Sequence, residues 1–132
     1  MHIPDSLCDG SSLRIPPILS TAYLTSLKKN GLMALASGPR PDPAPVGGLS
    51  KEVTDLHYAH AFDGSVARAQ LALLDPRGEV PTASATLLQF LSGGSLCLTD
   101  VPCGAGAATL SLLCAIAELR KEGVLPRVPL RA

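Results

Sequence analysis

Charge of one sign is missing from this chain: eleven Lys and Arg balance eleven Asp and Glu, and the formal net charge is zero. Without a net field, nothing draws the chain electrostatically onto nucleic acid or an anionic membrane, so a nucleic-acid partner is unsupported. Charged residues are scarce altogether, at 17% against 46% hydrophobic, the reverse of the balance in disordered chains. Long apolar runs are also absent. No stretch approaches the roughly 20 residues that cross a bilayer. The first ten residues hold Asp5 and Asp9 in place of the basic start and apolar stretch of a secretory signal. A soluble, cytoplasmic protein with no membrane partner is expected.

Closely spaced cysteines are lacking too, because Cys8, Cys97, Cys103 and Cys114 never form the CxxC spacing of zinc sites and redox couples. Reduced thiols are expected, with Cys97 and Cys114 buried in their apolar runs as small hydrophobes. No metal site is expected either. His57 and His60 stand three residues apart, a spacing that can put two imidazoles on one helical face, but only Asp55 and Asp63 accompany them. Ser65 sits in Asp-Gly-Ser and not in a GxSxG nucleophile elbow, and no histidine follows it, so hydrolase chemistry has no support.

What the 132 residues do contain is enough apolar surface for one modest core. Pro16 and Pro17 open a helical pattern over residues 15–36 that Asn30 and Gly31 interrupt. Pro39, Pro41, Pro43 and Pro45, followed by Gly47 and Gly48, read as an extended linker. Residues 1–49 therefore form a helical segment plus linker, and residues 50–132 a second unit. Ser50 is placed to cap a helix, Asp63 and Gly64 to turn the chain, and Ser65 to cap a second helix that Asp75 and Pro76 end. Thr82 is placed to cap a third, over residues 83–91, closed by Gly93 and Gly94. Residues 95–101 are short, apolar and bounded by Gly94 and Pro102, which predicts a buried strand. After the Gly104–Gly106 turn, residues 107–119 are apolar nearly all round and end in Arg120, Lys121 and Gly123, which predicts a buried helix. Residues 124–132 lead into a second strand.

Strand, glycine turn and helix in succession form the unit that nucleotide-binding α/β sheets place at the end of their first strand. Glycines let the backbone turn and approach a ligand, and the helix N-terminus offers free N–H groups. A phosphate-binding P-loop requires a Gly-Lys-Ser/Thr ending, whereas Ala107, Ala108 and Thr109 stand here. A GxGxxG dinucleotide fingerprint is met at Gly104 and Gly106 but has Thr109 at its third position. The run Asp100, Val101, Pro102, Cys103, Gly104, Ala105, Gly106 instead resembles motif I of class I S-adenosylmethionine (SAM) dependent methyltransferases. An ordinary strand-to-helix turn accommodates the same residues.

That resemblance covers about residues 95–119. It implies an α/β fold: the N-terminal part of a Rossmann-like class I methyltransferase fold, mostly helical before the first strand and glycine loop. It also implies SAM as cofactor, bound by Asp100, Pro102, Cys103, Gly104, Ala105 and Gly106, with Asp100 near the cofactor's amino group. The acidic residue that the family sets at the end of its second strand has no counterpart in residues 124–132, so a domain truncated after the first helix, and inactive alone, is expected. The methyl acceptor is unidentified. The alternative is a non-catalytic helical interaction module or homo-oligomer, since apolar residues exceed what so short a chain buries. Self-association, or a partner chain, would then cover the incomplete sheet.

Overall fold

A computed structural model describes residues 2–44, 46–48, 50–101 and 104–132. The chain opens with a hairpin of β1 (Cys8–Asp9) and β2 (Ser12–Leu13), followed by α1 (Pro17–Lys29), α2 (Met33–Ser37) and the long α3 (Lys51–Leu74). Then come α4 (Pro81–Leu91), β3 (Leu96–Cys97), α5 (Ala107–Lys121) and β4 (Leu130–Arg131). The break expected at Asn30 and Gly31 is present. Gly31 turns at a φ of +69°, and the Leu32 N–H returns to the Leu27 carbonyl at 2.8 Å.

Ser50 caps α3 as expected, its hydroxyl accepting from the Val53 N–H at 3.2 Å. The turn expected at Asp63 and Gly64 does not form, and α3 runs unbroken through both. Glycine inside a helix costs about 1 kcal/mol. Burying Phe62 and Val66, which are 4% and 0% exposed on either side of it, returns roughly 1.5–3 kcal/mol each, so the continuous helix prevails. Asp63 accepts from the Gly64 N–H and pairs with Arg40 without turning the chain. The helix ends where expected, at Asp75, in a left-handed conformation. There the Asp75 carboxylate accepts from the Glu79 and Val80 N–H groups at 2.7 and 3.0 Å. Thr82 caps nothing, since Pro81 already opens α4.

Helix α5 is less buried all round than its composition implies. Ala107, Ser111, Ala115 and Leu119, four residues apart, form its buried stripe, while Leu110 is exposed. The stripe lies against α3, where the Ser111 hydroxyl donates to the Val66 carbonyl at 3.1 Å. One core joins Leu73 and Leu74 to Ala115, Ile116 and Leu119. Another joins Leu19 of α1 to Phe62, Val66 and Ala107.

Strands β3 and β4 pair in parallel, Leu96 opposite Leu130 and Cys97 opposite Arg131. The order strand, glycine turn, helix, second strand therefore matches the expectation, on a much smaller scale. The described chain is mostly helical, with two two-stranded sheets and no Rossmann sheet. A strand extends only as far as its partner. Pro126 and Pro129 cannot donate to a ladder, and β4 accordingly offers two residues to the seven expected over 95–101. The alternation along β3 buries Leu96 and exposes Cys97, correcting the expectation of a buried Cys97 thiol. Cys114 is half-buried, and desolvation, followed by the Glu118 charge, pushes its thiol pKa up. Among the described residues, no helix is long and apolar enough to cross a membrane.

Leu119→Ala should cost about 2–5 kcal/mol, because Leu119 of α5 is fully buried in the core it shares with Leu73 and Leu74 of α3. Ile18→Ala, at a side chain 74% exposed, should stay within about 0.5 kcal/mol. Urea unfolding midpoints check both, and equal effects would refute this placement of the core.

Candidate functional site

Past β3 the chain reaches Asp100, and after the turn Gly104, Ala105 and Gly106 lead into α5. Gly104 and Gly106 adopt φ values of +52° and +72°, where other residues are strained. Its φ makes Gly104 a glycine position, and among the described residues a Cβ built there meets nothing within 4 Å. Asp100 is half-buried, and one of its carboxylate oxygens accepts from the Thr109 hydroxyl at 2.6 Å. Thr109, which spoils a dinucleotide fingerprint, here ties the acidic side chain to the first turn of α5.

Asp100, Gly104 and Ala105 line a cleft of about 240 Å³. Gly106 caps α5 without lining it, and Pro102 and Cys103 lie outside the described residues. The start of α5 adds Ala107 and Ala108, and α3 adds Tyr58 and Phe62. Sequence reasoning missed this aromatic wall, although Tyr58 and Phe62 stand one helical turn apart. Three of the chain's four aromatic residues meet here. The Tyr23 ring stacks on Phe62 at 4.6 Å, and Tyr58 meets both rings edge-on at 5.2 Å. The Tyr23 hydroxyl lies 3.1 and 3.0 Å from the Tyr58 and Ala59 carbonyls, to which it donates, fixing α1 across α3.

A larger cleft of about 590 Å³ opens beside the first and shares His57, Tyr58, Gly104 and Ala105 with it. Its outer wall is the end of the proline-rich segment. Gly47 lies so close to the His57 imidazole that a Cβ there would sit 3.3 Å from the ring. The Gly48 N–H donates to the Thr54 hydroxyl at 3.0 Å. His60 faces elsewhere, into a smaller cleft with Arg40 and Arg68, so the two histidines serve different surfaces. Among the described residues, no group of three or more His, Cys, Asp or Glu is arranged to hold a metal.

Comparison with protein-family models, curated proteins and solved structures gives no match.

Burial pushes the Tyr23 phenol up to about 12, with the Asp63 and Tyr58 charges adding to the shift and Arg40 opposing it. The folded state thus holds this proton more tightly than the unfolded chain. The resulting stabilisation is complete below pH 10 and lost as pH rises through about 12. Tyr23→Phe should remove that alkaline loss and cost about 1 kcal/mol at neutral pH. Urea unfolding across the alkaline range checks it, and an unchanged pH profile in the variant would refute the assignment.

Proposed function

We propose that the glycine-loop cleft holds the amino-acid end of S-adenosylmethionine and that the protein is a SAM-dependent methyltransferase. The supporting observation is the cleft at the end of β3, where Asp100, Gly104 and the first turn of α5 face one another. SAM carries an ammonium and a sulfonium, and the described lining offers one carboxylate and no lysine or arginine. The first N–H groups of α5, at Ala107 and Ala108, suit a carboxylate such as the cofactor's. Tyr58 and Phe62 give the apolar wall a sulfonium-bearing chain packs on. Once bound, SAM supplies an activated methyl group.

The ribose end has no such support. Strand β4, Leu130–Arg131, carries a basic residue and no acidic one. On this reading Asp100, Gly104, Ala105 and Gly106 bind the amino-acid half of the cofactor.

Calorimetric titration with SAM should show Asp100→Asn weakening binding about tenfold or more, equivalent to about 1.4 kcal/mol. Thr109→Val should weaken it less, because the carboxylate stays but loses its tether. Gly104→Val is a blunter probe, since a φ of +52° strains any side chain. Equal affinity of Asp100→Asn and the parent would sink the cofactor reading.

A second reading, an interaction module or homo-oligomer, has its own support. Cys97 is exposed on β3, and Val101 and Phe90 are 83% and 63% exposed. Sedimentation over a concentration series should then show reversible association that Val101→Asp weakens. A single monomeric species throughout would count against this reading.

A further inference from the structure

We infer that the larger cleft takes a small, ring-bearing molecule that is neutral or cationic, and that this molecule is the methyl acceptor. The assignment as acceptor rests on the SAM reading above, whereas the chemical class of the ligand does not. At about 590 Å³ the cleft falls within the ~300–1,000 Å³ of small-molecule sites. It adjoins the glycine-loop cleft, with which it shares His57, Tyr58, Gly104 and Ala105. A molecule seated in it therefore has one end beside Gly104 and Ala105.

The lining selects the chemistry. Leu32, Val46 and Tyr58 supply an apolar and aromatic surface suited to a ring, and Asn30 and Thr54 supply neutral hydrogen-bonding groups. Asp55 is the only carboxylate among the described lining residues, which include no lysine or arginine. A phosphorylated or carboxylated ligand finds no lysine or arginine among those residues, and a nucleic-acid backbone finds none either. Lys51 pairs with Asp55 from outside the cleft, its own side chain 78% exposed and that of Asp55 25% exposed, and an ion pair with so exposed a cation is weakly held. An amine entering the cleft can take the place of Lys51. In the transfer, an amine acceptor first gives up its ammonium proton to water, and the lone pair so freed, or one on a neutral acceptor's oxygen, forms the bond to the methyl carbon. The carbon–sulfur bond breaks with its electron pair left on sulfur, and an oxygen acceptor's proton passes to water.

The test is amide NMR of the whole chain with millimolar benzylamine, phenol or benzoate, and separately with SAM. Benzylamine and phenol should move the Gly47, Gly48 and Thr54 resonances, and benzoate should not. Val46→Lys places a cation at an exposed site on the rim, 71% exposed in the parent, where folding is spared. It should weaken benzylamine about threefold or more and admit benzoate. Benzoate binding the parent as tightly as benzylamine, or no probe moving these amides, overturns the inference. SAM moving Gly104 and Gly106 while the probes move nothing overturns it and leaves the cofactor reading intact. Benzylamine binding without any response to SAM supports the small-molecule cleft and overturns its role as acceptor site.

Discussion

Helix α5 reaches α3 only because three of the four residues in its facing stripe carry small side chains. Ala107, Ser111 and Ala115 are each buried, at 7%, 0% and 0% exposure, and together they let the two backbones approach closely. Ser111 brings a hydroxyl into this seam, and donating it to the Val66 carbonyl removes the cost of burying it. The same approach sets the height of the glycine loop, since Gly106 is the cap of α5, and so brings Gly104 level with Tyr58 and Phe62. A bulkier residue at 111 or 115 would separate the helices and open the candidate site with them. Gln70, 1% exposed on α3, has an amide without a partner among the described atoms, and nothing in the structure explains it.

Much of the local architecture was legible because local rules decided it. The Ser50 cap, the break at Gly31, the Asp75 stop and the Gly123 end of α5 each follow from chemistry within a few residues. Misreadings arose where distant packing outweighed a local signal. Asp63 and Gly64 form a good turn pair in isolation, and α3 passes through them because Phe62 and Val66 need one continuous buried face. Cys97 lies in an apolar run, and its exposure follows from which face of β3 is covered, a fact about neighbours that composition does not carry.

The candidate site divides in the same way. Asp100, Gly104 and Ala105 were identifiable through the resemblance of their motif and do line one cleft. Its opposite wall was not legible, since Tyr23, Tyr58 and Phe62 come together only once α1 crosses α3. Helix α3 also separates surfaces of unlike charge. Asp55 and Asp100 face the clefts beside the glycine loop, while Arg40, His60 and Arg68 share a smaller one. A net charge of zero conceals that segregation.

The proline-rich segment between α2 and α3 is held near both ends. Arg40 pairs with Asp63; Gly47 rests on the His57 ring and Gly48 bonds to Thr54. Both anchoring surfaces belong to the same rigid helix, so the distance the intervening residues must bridge is fixed by α3. Residues 41–44 thus resemble a bowstring cut to measure: an insertion or deletion among them changes the tension on Gly47 and the width of the larger cleft.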